Sequence, residues 1–176
     1  LIIISCAGSK SDTNDPILNN SSNTTSVNNN STSNQTQAYT FKNELVWSDE
    51  FDGESLSNIN WNIETIPPNN GSWWNGELQF YTDKEDNIKV ENGLLKITAK
   101  YESYEGKNYT SARINTQDKY EFTYGRVEMK AKLPNWEGMW PAFWMLGANI
   151  DEIGWPNCGE LDILEHGDYV KDSTND

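Results

Sequence analysis

Histidine and cysteine are nearly absent from this chain of 176 residues, which holds one of the first, His166, and two of the second, Cys6 and Cys158. No Cys/His cluster with metal-ligand spacing can be drawn from so few. No apolar stretch approaches the roughly 20 residues of a membrane-spanning helix. Basic residues are scarce as well, 13 Lys plus Arg against 27 Asp plus Glu, for a net charge of −14. That balance argues against nucleic acid and polyanionic polysaccharides as partners, and it is compatible with a neutral polymer. No amphipathic helical pattern of ten or more residues appears, and there is no internal repeat and no initiating Met.

What is present divides the chain. Leu1-Ile2-Ile3-Ile4-Ser5-Cys6 resembles the end of a secretory leader, its beginning missing, with Ile3-Ile4-Ser5-Cys6 in the pattern of a bacterial lipobox. In that reading Cys6 is acylated and anchors the protein to a membrane without crossing it; an ordinary signal remnant with an incidental Cys is the alternative. From Asn19 to Gln37 every residue but Val27 is Ser, Thr, Asn or Gln. Such a stretch has too little apolar surface to offset chain entropy. Residues 1–18 are therefore expected to be leader remnant and the start of a tether, residues 19–40 a disordered linker, and 41–176 the folded domain. With Cys6 acylated, Cys158 has no partner and is expected to be a reduced, buried residue below the site.

Past residue 41 the pattern is short apolar runs broken by Gly, Asn and Pro. Strands are expected at Leu45–Trp47, Trp61–Thr65, Leu78–Tyr81, Asn87–Val90, Leu94–Lys100, Tyr109–Asn115, Gly125–Leu133, Ala142–Leu146 and Glu160–His166. Residues 126–133 alternate strictly, as a half-buried antiparallel strand does, and Glu91-Asn92-Gly93 marks a hairpin turn. The fold class is all-β, a sandwich.

The chemistry is concentrated in Gly159-Glu160-Leu161-Asp162-Ile163-Leu164-Glu165. A helix would scatter the three acids, setting Asp162 about 200° and Glu165 about 140° around from Glu160. A strand puts Glu160 and Asp162 on one face, with Leu161 and Ile163 packed beneath. Glu165 falls on the wrong face unless a β-bulge between Asp162 and Glu165 absorbs one residue. Three acids on one surface suit retaining glycoside hydrolysis, which uses two carboxyl groups roughly 5–5.5 Å apart. Crowded negative charges also favour keeping one carboxyl protonated, the state a general acid needs. A surface strand with scattered acids and a three-carboxylate calcium site are the competing readings.

The flanks add to this. Trp155-Pro156-Asn157-Cys158-Gly159 leads into the acid row, and upstream run Tyr124-Gly125-Arg126-Val127-Glu128-Met129-Lys130-Ala131-Lys132-Leu133-Pro134 and Gly138-Met139-Trp140-Pro141-Ala142-Phe143-Trp144-Met145-Leu146-Gly147. From Glu44 to Asp176 the chain resembles glycoside hydrolase family 16, laminarinase-type endo-β-1,3-glucanases, in the bulged form Glu-x-Asp-x-x-Glu. The resemblance implies a concanavalin A-like β-jelly roll with a concave cleft. It also implies that 41–176 is a partial catalytic domain lacking its C-terminal strands. Glu160 is then the nucleophile and Glu165 the acid/base, with Asp162 between them to hydrogen-bond the nucleophile.

Eight Trp and eight Tyr form a heavy aromatic load, suited to stacking on the C–H faces of sugars. Trp140 and Trp144, four apart, point the same way on a strand and line the cleft or pack between sheets. The resemblance extends to Asn75, in Trp73-Trp74-Asn75-Gly76, as a hydrogen-bonding or turn residue. Arg113 looks like the cleft arginine or a structural ion pair. Trp155 floors the site or seals the core, and Trp136 is ambiguous in the same way. His166, facing away from Glu165, is expected to make a structural hydrogen bond. No cofactor is required, although the resemblance allows a structural calcium at Glu50-Phe51-Asp52-Gly53 and Gly93. The expected partner is a neutral β-1,3-glucan, met by a monomer. Mixed-linkage β-glucan, an agar-type galactan or non-catalytic glucan binding are the alternatives.

Overall fold

The computed structural model describes residues 2–5 and 44–167. Cys6, where acylation is expected, the linker expected at 19–40 and residues 168–176 lie outside them. Among the described residues twelve short strands follow in chain order: β1 Ile2–Ser5, β2 Trp47–Asp49, β3 Asn62–Ile63, β4 Gln79–Tyr81, β5 Ile88–Val90, β6 Leu95–Ile97, β7 Lys100–Tyr104, β8 Lys107–Ser111, β9 Ile114–Asn115, β10 Arg126–Met129, β11 Ala142–Leu146 and β12 Glu160–Glu165. The one α-helical turn among the described residues, Ile150–Ile153, joins β11 to β12.

Pairing is antiparallel except for β4 on β8. The segment read as a leader, Ile2–Ser5, forms the strand between β2 and β10. The β5–β6 turn is the one expected from Glu91-Asn92-Gly93. Glu91 and Leu94 exchange backbone hydrogen bonds at 2.9 and 3.2 Å, with Asn92 at φ 56° and Gly93 at φ 70°. Positive φ at both central residues is the hairpin geometry that Asn-Gly supplies cheaply.

The core is aromatic. Phe51, Trp61 and Val90 are buried together, with Trp47, Ile114, Tyr120 and Phe143 among the residues packed on them. Tyr120 stacks on Trp47 at 5.2 Å. Asp49 secures this cluster from β2, accepting bonds from the Trp61 indole at 2.8 Å, the Asn60 amide and the Phe51 backbone. The architecture is the all-β jelly roll that was expected.

Several expectations need correction. The strand expected over 125–133 ends at Met129, and Lys130 to Leu133 are exposed, because alternation continued past the point where a partner strand was there to pair with it. The run 94–100 is two elements, β6 and the start of β7. Leu161 and Ile163 are not packed beneath the acid row but 65% and 45% exposed. They lie on the two-stranded sheet β11–β12, where Phe143 of β11 packs on the core and these two side chains of β12 stand open to solvent. Cys158 is a free thiol of intermediate exposure rather than a buried one.

Candidate active site

The acid row is built by the register of β11 on β12. Leu146 faces Glu160, Met145 faces Leu161, Trp144 faces Asp162, Phe143 faces Leu164 and Ala142 faces Glu165. Ile163 has no partner, and the register shifts between Phe143 and Trp144. Ile163 is thus the extra residue of a β-bulge, and it returns Glu165 to the face of Glu160 and Asp162. Close approach at the strand entry demands glycine at 147. Its amide donates to the Gly159 carbonyl at 3.2 Å, and a Cβ there would run into the Cys158 carbonyl oxygen.

Each outer glutamate is held by a tryptophan. The Trp155 indole N–H donates to Glu160 Oε2 at 2.5 Å, and the Trp140 indole donates to Glu165 Oε1 at 3.0 Å. Both rings remain open to solvent, Trp155 at 66% and Trp140 at 48% exposed. Each therefore offers a ring face while its nitrogen orients a carboxylate. Neither packs between sheets. Trp144, partly buried, stands opposite Asp162 on the same face.

Arg113 joins this face from across the molecule, its guanidinium 5.0 Å from the centre of the Trp144 ring. It stays there because Glu64 accepts from its Nε at 3.0 Å and is itself bonded by the Asn115 amide at 2.6 Å. The two readings of Arg113, cleft residue and ion pair, are thus compatible: the ion pair sets the guanidinium over Trp144. Beyond Arg113 lies Tyr81, whose hydroxyl donates to Glu77 at 2.6 Å. Burial first, then that carboxylate, push the Tyr81 hydroxyl well above the usual tyrosine range. Trp73, buried at 3% exposure, packs edge-on against Tyr81 at 4.6 Å, so the Trp73-Trp74-Asn75 loop is tied into the same neighbourhood.

The other candidates are placed by local geometry. Asn75 is in the left-handed region, φ 59° and ψ 22°, which fits its turn role. Trp136 is 77% exposed, in a turn closed by the Met139 amide on its carbonyl. His166 is exposed, and its backbone amide is what ties it down, donating to the Pro141 carbonyl at 3.1 Å. For calcium, Asp52 Oδ1 lies 3.7 Å from where a Gly93 Cβ would stand. Among the described residues no three His, Cys, Asp or Glu side chains gather closely enough to hold a metal, the acid row included. Sequence reasoning missed Glu64, Asn115 and Glu77. Asn115 had a signal, since period-2 alternation puts it on the face of Arg113.

Three comparisons bear on this site. Residues 73–175 match the model of the XgeA-like, catalytic GH16 domain. A beta-glucanase of Rhodothermus marinus is 44% identical over 73% of this chain and 46% of its own length. Among solved structures, the laminarinase of Flavobacterium sp. UMI-01 is 53% identical with TM-score 0.63, over 70% of this chain and 52% of that one. LamA of Z. galactanivorans, solved in complex with laminaritriose and laminaritetraose, is 49% identical with TM-score 0.65, over 73% of this chain and 58% of that one. The chain spans less than half the length of these curated relatives and about half of the solved chains.

Proposed function

The chain belongs to glycoside hydrolase family 16, and from that membership we propose that it is a retaining endo-glycosidase acting on β-1,3-glucan. The observation that carries the proposal is the bulged strand that brings Glu160, Asp162 and Glu165 to one face, with a tryptophan donor on each outer glutamate. In the first step Glu160 attacks the anomeric carbon while Glu165 gives its proton to the departing glycosidic oxygen, so the sugar becomes an ester of Glu160. In the second, Glu165 takes a proton from water, the resulting hydroxide attacks the same carbon, and the Glu160 carboxylate leaves. Asp162, between them, hydrogen-bonds the nucleophile. The Trp155 and Trp140 indoles hold the two glutamates in place and present ring surface to the sugar. Trp144 with Arg113 supplies stacking and hydrogen-bond donors further along the cleft, and Asn75 a polar contact from the loop beside it.

The substrate is a neutral glucan of the laminarin type, in keeping with aromatic and acidic residues at the site. Reducing-sugar release should be measured with the full-length protein on laminarin, lichenan and agarose. Laminarin is expected to be preferred, and a preference for agarose or lichenan would replace the substrate. Glu160→Ala should abolish release, with azide restoring part of it and giving the glycosyl azide of inverted configuration. Unimpaired hydrolysis by this variant would sink the mechanism.

We place the protein at the bacterial cell envelope as a monomer, anchored through acylated Cys6. Cleavage before Cys6 removes Ile2–Ser5, so the anchored form and the β1 pairing exclude one another in a single molecule. A structural calcium would take Asp52 and backbone oxygens near Gly93. None of the catalytic steps above is routed through it.

A further inference from the structure

The chain from β8 through β9 carries the cleft face beyond the acid row. Tyr109, Ser111, Arg113 and Asn115 alternate onto one side. Thr110, Ala112 and Ile114 alternate onto the other, where Thr110 is 0% and Ala112 7% exposed and Ile114 packs on the core. Arg113 shows which side is which, because its guanidinium lies over Trp144 opposite Asp162. Tyr109 therefore belongs to the cleft side of the sheet. Its neighbours in register agree: Gln79 of β4 lies beside it, and Tyr81, packed on Trp73, lies beside Ser111.

At Tyr109 this surface is aromatic and open. Tyr101 of β7 pairs with it in register, and the two rings meet edge to face at 5.3 Å and 64°. Tyr101 is 81% exposed and Tyr109 42%. Four residues of extended strand put Tyr109 about 13 Å from Arg113, the span of several sugar rings. A cross-strand aromatic pair stabilises a hairpin wherever it stands. That role accounts for the contact between the rings. It does not account for a ring left mostly in water on the face that leads to Arg113 and Trp144.

We propose that Tyr101 and Tyr109 form a remote stacking platform for the polysaccharide chain, engaging sugars several units from the bond that is cut. The proposal rests on the glucanase reading, and its occupant is the uncharged C–H face of a β-glucan. Gln79, in register beside Tyr109, adds an uncharged hydrogen-bonding amide held by the Glu77 carboxylate, which accepts from it at 2.5 Å.

The test uses full-length protein carrying Tyr101→Ala or Tyr101→Trp, with laminarin and laminaritetraose as substrates. For Tyr101→Ala, KM on laminarin should rise about three- to tenfold, with kcat unchanged and the tetrasaccharide turned over as by wild type. Tyr101→Trp should keep the wild-type KM. A purely structural tyrosine would affect both substrates alike. Equal KM values for wild type and Tyr101→Ala on laminarin overturn the platform while leaving the glucanase reading intact. Failure of wild type to hydrolyse laminarin sinks that reading instead. Co-sedimentation with insoluble β-1,3-glucan then decides the platform alone: weaker retention of Tyr101→Ala supports it, and equal retention overturns it.

Discussion

Deleting Ile163 should leave the site assembled, whereas deleting Leu161, two positions away, should destroy it. In the native register Glu160 faces Leu146 and Glu165 faces Ala142, four pairs along β11, although the two glutamates are five residues apart in sequence. Four steps at about 3.4 Å separate their Cα atoms by about 14 Å, a gap that side chains leaning together have to close. Ile163 has no partner, so its removal keeps every pairing and gives the regular strand Glu-Leu-Asp-Leu-Glu with all three acids on one face. Geometry should change only by relaxation of the kink. A misplacement near 1 Å costs up to about 10²-fold, so the variant should retain at least about one per cent of wild-type turnover. Removing Leu161 makes Glu160 and Asp162 adjacent in sequence, pointing to opposite faces whichever half of the strand slips. Loss of a positioned carboxylate then costs about 10²- to 10⁴-fold, on top of the misplacement. Both variants are assayed by reducing-sugar release from laminarin, with a thermal melt of each to establish folding. Equal inactivation of the two folded variants, or survival of activity without Leu161, would refute the bulge as the device that assembles the site.

Two further outcomes follow from particular contacts and a third from the leader motif. Trp155→Phe keeps an aromatic ring but removes the donor to Glu160; a hydrogen bond to a charged group is worth about 1.5–3 kcal/mol, so kcat/KM on laminarin should fall by about 10- to 100-fold. Trp136→Phe, a change at an exposed ring, should leave it unaltered, and equal losses in the two would refute the assignment. Tyr81 holds its proton in the fold more tightly than its ordinary value of 10.0, so its contribution to stability is complete below that pH and is lost as pH rises past it, while the unfolded chain ionises. Thermal stability should therefore decline above pH 10, and Tyr81→Phe should decline less steeply; parallel curves would contradict the burial of this hydroxyl. The exported protein should partition with membranes, and Cys6→Ser should release it or block its processing, equal recovery of both forms as soluble protein counting against the anchor.

The sequence by itself determined those features that depend on neighbours within a few residues. Alternation of Glu160 and Asp162 fixed their shared face, and the odd offset of Glu165 required a bulge. Asn92-Gly93 specified its turn because few residues take positive φ at low cost. Periodicity is blind to partners, however. Lys130 to Leu133 continue the alternation of β10 without belonging to it, and Leu161 and Ile163 have the spacing of core residues while standing in solvent. Tertiary structure alone decided that Ile163 is the bulged residue, because only the register against β11 leaves one residue unpaired. It alone brought Glu64 to Arg113, 49 positions away, and Trp140 to Glu165, 25 away. Such contacts are set by which strands lie side by side, and that is a property of long-range pairing that no local pattern of residues records.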